Sequence, residues 1–167
     1  MATVRIPIIN SHTMPDSSGT VYFEPSATRD ANDRYNHFLL TFSSQGARQG
    51  LAGKFVVPKD YAAGAKIVVV WNTTATSGDV VWDCDYTAVG GDSAETMDPA
   101  ADQESITATD TASGTARQRQ EVSLSATVTN FVADDEVLFN FYRDGVNVAD
   151  TLAATAYVES LLFEYTT

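Results

Sequence analysis

Asp79, Asp83 and Asp85 form the grouping with the most chemical content in this chain. Asp83 and Asp85 stand two apart in VVWDCDY, so on a strand both carboxylates leave by the same face, with Asp79 at the turn before them. Carboxylates so placed can bind a hard cation such as Ca²⁺ or divide acid and base roles in glycoside cleavage. A Ca²⁺ site also wants several oxygens converging from a turn, and no EF-hand or glycine-rich repeat spacing is present. The plainer reading is a hydrated strand face. No metal and no cofactor is expected, and Asp79, Asp83 and Asp85 remain the candidates should a metal bind. Asp134, Asp135 and Glu136 form a second acidic cluster and are read in the same way.

Nucleophilic catalysis lacks its parts. There is one cysteine, Cys84, and it falls on the apolar side of its strand, where a thiol acts as a small hydrophobe. The two histidines, His12 and His37, both lie in the N-terminal third. No G-x-S-x-G elbow, H-E-x-x-H helix or glycine-rich phosphate loop occurs. The expectation is no enzyme and no catalytic residue. Asn72-Thr73-Thr74 spells a glycosylation sequon, read here as a chance match in a threonine-rich turn. Trp71, Trp82, Tyr61, Tyr86 and Tyr142 could line a sugar groove by laying ring faces on pyranose rings, although aromatics on strands are core more often than platform. Tyr61, in the loop after Pro58, is the candidate for an exposed binding aromatic.

The elements that must position these residues read as strands. Ile67–Trp71 and Val80–Tyr86 are apolar, β-branched or aromatic runs around a polar stretch containing Gly78, a pattern that predicts a β-hairpin at the centre of the fold. Period 2 sends Val80, Trp82, Cys84 and Tyr86 inward and Val81, Asp83 and Asp85 outward. Further strands are expected at 4–8, 20–24, 36–42, 51–57, 104–109, 118–129, 136–143 and 156–165. Pro7 lacks an amide donor, so the first of them is expected at an edge or to leave the sheet early. The last is apolar enough to require pairing inside a sheet. One helical turn is allowed in 26–35, and 90–103 reads as a long surface loop. Breakers recur every ten to fifteen residues, and no heptad or internal repeat is seen. The fold class is all-β, a two-sheet antiparallel sandwich of jelly-roll-like order. Residues 1–167 form a single domain, with 1–19 as an N-terminal strand or arm.

Composition bounds the partners. The net charge is −12 and the pI is about 4.3. Phosphate backbones and anionic membrane surfaces both select clustered Lys and Arg, so no nucleic acid and no membrane is expected. Asp79 through Asp110 holds nine acids and no basic residue. No signal peptide or spanning segment is visible, so the product is expected to start in a host cytoplasm.

Two segments, Gly53–Tyr86 and Glu136–Thr167, together with DQESIT at 102–107, resemble small virion structural proteins of tailed bacteriophages. The resemblance covers roughly the last two thirds of the chain and rests on strand and turn phrases. It implies a β-sandwich component of the virion, on the capsid surface. The leading expectation is a capsid decoration protein that clamps neighbouring subunits. Its partners would be the major capsid protein or other virion proteins, and it would form a homo-oligomer, with a trimer favoured. Val4, Ile6 and Ile8 are then the candidate capsid-docking arm. The alternative is a receptor- or carbohydrate-binding module of a tail or head fibre.

Overall fold

The computed structural model describes residues 1–9, 14–15, 22–25, 38–43, 46–90, 96 and 103–167. His12, His37, the allowed helical turn in 26–35 and most of the 90–103 loop lie outside them. The described strands are β1 (Thr3–Pro7), β2 (Met14–Pro15), β3 (Tyr22–Pro25), β4 (Phe38–Phe42), β5 (Arg48–Val56), β6 (Ala63–Thr73), β7 (Asp79–Val89), β8 (Gln103–Thr111), β9 (Gln120–Ser125), β10 (Glu136–Asp144) and β11 (Ala156–Thr166). A 3₁₀ turn, Val128–Asn130, is the one helical element among the described residues. The fold is the expected all-β, two-sheet antiparallel sandwich. One sheet runs β3-β4-β11-β6-β9, with β1 also on β11, and the other runs β2-β5-β10-β7-β8.

Alternation decides which residues face the interior. On β7, Val80, Trp82, Cys84, Tyr86 and Ala88 belong to the core, while Asp83, Asp85 and Thr87 leave by the other face. On β10, Val137, Phe139 and Phe141 point inward. They meet Ile67, Val69 and Trp71 of β6 and Val158, Leu161 and Phe163 of β11. β11 is the centre of its sheet, between β6 on one side and β4 and β1 in succession on the other. Its apolar sequence matches that position, since it is paired on both sides and its inward residues Val158, Leu161 and Phe163 lie in the core.

The predicted hairpin is corrected. β6 and β7 occupy the expected residues but do not pair; β6 bonds β11 and β9, and β7 bonds β10 and β8. The connection is an arch that carries the chain from one sheet to the other. Alternation looks the same whether two strands lie side by side or face each other across a core, so the pattern could not separate the two. The arch is fixed from outside. The carbonyl of Asp79 accepts from the amides of Thr151 and Leu152, both at 2.8 Å, and the Asp79 amide donates to Thr151 Oγ1 at 2.9 Å. Gly78 turns at φ +102°, and a Cβ there would come within 2.9 Å of Leu152 Cα, so only glycine fits.

The N-terminal arm is also corrected. β1 pairs antiparallel with β11 from Thr3↔Thr166 to Pro7↔Leu162. Val4 and Ile6 pack on this chain's own core, and Ile8 is fully buried in it. The side chains proposed to dock on a capsid turn instead toward this chain's own core, Val4 and Ile6 half-buried and Ile8 wholly so, because their period-2 face lies against the first sheet.

Inside the sandwich, Arg143 occupies an inward position at the end of β10 and is 1% exposed. Its guanidinium forks onto Asp150, Nε to Oδ2 at 2.9 Å and Nη2 to Oδ1 at 2.7 Å. The remaining N–H groups reach the carbonyls of Ser43, Ala154 and Leu152. All five donors of the guanidinium are therefore used. Asp150 also accepts from the Val81 amide at 3.2 Å, so one ion pair ties β10, β7, the end of β4 and the loop before β11.

Candidate functional site

The register of β5, β10, β7 and β8 places outward side chains in rows across the second sheet. One row is Ala52, Asn140, Asp85 and Ser105; the next is Lys54, Leu138, Thr87 and Gln103. On the other side lies Gly50, Tyr142, Asp83 and Thr107. With strands about 4.8 Å apart, a row of four spans about 14 Å. The first two rows enclose an open groove of about 330 Å³, lined by Ala52, Asp85, Thr87, Gln103, Leu138 and Asn140.

The groove is polar and its central carboxylate is held in place. Ser105 Oγ donates to Asp85 Oδ1 at 2.6 Å, and the Tyr142 hydroxyl donates to Asp85 Oδ2 at 3.0 Å. Each carboxylate oxygen keeps a further lone pair for a ligand donor. Thr87 Oγ1, in the groove wall, is shielded from solvent and has no hydrogen-bond partner. Leu138 and Ala52 supply apolar floor between these groups. A mixed surface of this kind suits a ligand bearing many hydroxyls on a hydrocarbon ring.

Beneath the Gln103 end, the buried Tyr86 hydroxyl donates to Glu104 Oε2 at 2.6 Å and accepts from Asn130 Nδ2 at 3.1 Å. Burial, and then the Glu104 carboxylate, push the Tyr86 phenol up. Burial alone would raise Glu104. Hydrogen bonds from Tyr86 and from the amide and hydroxyl of Thr127 outweigh that and hold its carboxyl below the usual range. The cluster pins the 3₁₀ turn to the sheet.

The three sequence-predicted aspartates do not converge. Asp85 is in the groove, and Asp83 lies one row away, 3.4 Å from Arg48 Nη2. Asp79, at the start of β7, accepts from Thr111 Oγ1 at 2.6 Å, about 20 Å along the strand from Asp85. Among the described residues no three His, Cys, Asp or Glu side chains are grouped for a metal. In the second acidic cluster, Asp135 Oδ2 accepts from the Val132 amide at 2.7 Å, and Glu136 pairs with Lys54 at 2.9 Å. Asp134 turns the chain at φ 73°.

The aromatics that could have lined a sugar groove take other places, and only Tyr61, the candidate for an exposed ring, is corrected. Trp71 and Trp82 are fully buried, and Tyr86 and Tyr142 are each 5% exposed. Tyr61 is half-buried, packed against Phe131, Phe163 and Tyr165, with its hydroxyl on the Val128 carbonyl at 3.0 Å. The loop after Pro58 folds back over the end of the sandwich, so its ring covers the core instead of facing water. Cys84 is fully buried, and burial, with Asp85 and Asp83 nearby, pushes its thiol up and out of nucleophilic use. Asn72 of the sequon is 5% exposed and donates to Glu159 Oε1 at 2.8 Å, which leaves it inaccessible to glycosylation.

The groove itself escaped the sequence reading because it is assembled from four strands remote in the chain. The register brings Asn140, Asp85 and Ser105 side by side, and no spacing within one strand announces that.

No family model and no curated protein matches the chain. Solved structures do. The chain is similar to an arabinose-bound α-L-arabinofuranosidase with a TM-score of 0.52 at 15% identity, covering 97% of this chain and 25% of that one. It is similar to a carbohydrate-binding module solved for its specific recognition of mannan, with a TM-score of 0.46 at 9% identity and full coverage of both chains. A xylan-binding domain from Paenibacillus barcinonensis gives a TM-score of 0.46 at 8% identity over 98% and 94% of the two chains. The chain spans about a quarter of the arabinofuranosidase, and the likeness is one of fold.

Proposed function

We propose that this chain is a non-catalytic carbohydrate-binding module that holds a glycan in the groove of the second sheet. The observation that carries the reading is the oriented Asp85 carboxylate, set beside the Asn140 amide on a partly apolar floor. Sugar hydroxyls both donate and accept, so they fit a carboxylate and a carboxamide placed together. The groove is open, and none of its lining side chains is an aromatic ring facing out, so affinity is expected to be weak, with Kd on the order of 1 mM to 0.1 mM.

The similar structures are sugar-binding or sugar-cleaving proteins, and that guides the choice of probes rather than the reading. The test is calorimetric titration with cello-, manno-, xylo- and arabino-hexasaccharides. Binding of at least one, lost about tenfold or more in Asp85→Ala and in Asn140→Ala with the melting midpoint unchanged, supports the module. Failure of all four, or binding indifferent to both substitutions, overturns it. Tyr61→Ala is expected to leave binding unaltered, since that ring packs on the core.

The virion location implied by the resemblance joins the same proposal: the module would be carried on a phage particle and meet host-surface glycans. Microscopy of particles should then show its density at the tail or on fibres. The clamping reading needs a contact surface other than Val4, Ile6 and Ile8, since Val4 and Ile6 pack partly buried on this chain's own core and Ile8 is buried in it.

A further inference from the structure

One more sugar-sized surface adjoins the groove, and a side chain of this protein covers it. Tyr142 lies in the row next to Asn140 and Asp85, directly opposite Gly50. A Cβ on Gly50 would fall 2.3 Å from Tyr142 Cδ1 and 3.0 Å from Cε1. The ring is therefore laid down against the β5 backbone, in space that only glycine leaves open. Its hydroxyl is tied to Asp85, so the ring is fixed in direction and points its polar tip at the groove. Over the ring sits the guanidinium of Arg48, 4.0 Å from the centroid.

The hold on Arg48 is slight. Its ion pair with Asp83 is 3.4 Å long, at the outer limit of a useful hydrogen bond, and its side chain is 41% exposed. A cation over a tyrosine face at an exposed site favours the stacked arrangement only by roughly two- to fivefold. Resting on the carbohydrate reading above, we propose that Tyr142 is a stacking platform for a further sugar ring, and that Arg48 is a displaceable cap on it. A glycan longer than the groove would push the guanidinium aside and lay a ring on the tyrosine face, with Gly50 as the reason that face lies flat. The cap keeps a tyrosine ring out of water when no ligand is bound, at the cost of part of the binding affinity.

Two readouts test this with the whole chain. In the first, tetranitromethane is applied to the wild type and to Arg48→Ala, and nitration of Tyr142 is read by peptide mass spectrometry. Nitration should rise severalfold in Arg48→Ala; an unchanged level shows that Arg48 is not the cap and overturns the proposal. In the second, the hexasaccharide panel is titrated against Arg48→Ala, alone and combined with Tyr142→Phe or Tyr142→Leu. Removing the cap should tighten binding by about three- to tenfold. The gain should survive Tyr142→Phe, which keeps the ring, and vanish with Tyr142→Leu. Wild-type binding with no gain in Arg48→Ala, or a gain that Tyr142→Leu preserves, overturns the platform and leaves the groove reading intact. Absence of binding in every variant overturns both readings of ligand, while nitration still decides the cap.

Discussion

Trp71 and Trp82 meet edge to face across the core, with 5.9 Å between ring centroids and 70° between planes, although they belong to consecutive strands. The contact exists because β6 and β7 lie in opposite sheets. Trp82 also stacks on Phe141 at 5.3 Å and meets Phe42 edge-on at 5.5 Å, so it fills the middle of the sandwich from one side. Trp71 closes it from the other and donates its indole N–H to Asp110 Oδ2 at 2.8 Å.

Truncating Trp82 should therefore open a large cavity between the layers. Trp82→Ala is expected to cost about 3–5 kcal/mol. Trp71→Phe keeps most of the packing but strands the Asp110 partner, and should cost about 1–3 kcal/mol. Urea denaturation followed by fluorescence checks both. Equal midpoints for wild type and Trp82→Ala would show that the layers are not joined through this ring.

Arg143 and Asp150 should behave as a unit. Removing either partner leaves a buried charge without its counter-ion, and each single substitution, Arg143→Met or Asp150→Leu, is expected to lose about 3–5 kcal/mol. The double variant should regain only part of that. The reason lies in the backbone: the guanidinium also serves the carbonyls of Ser43, Ala154 and Leu152, and the carboxylate serves the Val81 amide. A double-mutant cycle on denaturation free energies measures the coupling. Full recovery in the double variant would mean that those backbone groups find other partners.

Acid should weaken the first sheet through Arg5. Its hydrogen bonds hold the carboxyls of Glu164 and Glu121 below the ordinary value of 4.5, with Lys66 helping at Glu164 and Arg119 at Glu121. Groups depressed in the folded state stabilise it fully above their unfolded pKa, and the contribution disappears as pH falls through the folded one. Stability should thus hold down to about pH 4.5 and decline below it. Arg5→Ala should be less stable near neutrality and show a shallower acid decline. Urea midpoints measured from about pH 7 to about pH 3 decide the matter, and parallel curves for the two proteins would refute it.

Strand content was readable because each strand has one dry face, and period 2 survives wherever that is so. β10 exceeds the predicted 136–143 by one residue, and β7 contains the predicted 80–86 but runs on to Val89. Connectivity between neighbours was not readable. Apart from β3–β4 and β7–β8, none of the described strands pairs with the next one along the chain, and the turn chemistry around Gly78 built an arch where it suggested a hairpin. The inward Arg143 left a trace, a charge at the end of the run Val137, Phe139, Phe141, with an aspartate shortly after. Asp83 and Asp85 were rightly placed on an outer face, but their partners Arg48, Tyr142 and Ser105 come from three other strands. Only the register across the sheet supplies that information. Trp71, Trp82 and Tyr86 went inward for the ordinary reason that a large ring gains more from a core than from water, while Tyr142 lies on the outer face of β10.

The central position of β11 has a consequence for how the protein comes into being. Its partners β1, β4 and β6 all emerge from a ribosome before it does, and the edge of β6 that it will occupy stays vacant meanwhile. A nascent chain in this interval carries an unsatisfied, strongly β-prone seam, the sort that invites pairing between chains. Production in a heterologous host should for that reason reward slow synthesis at low temperature, and insoluble material should be rich in chains that stopped before this strand.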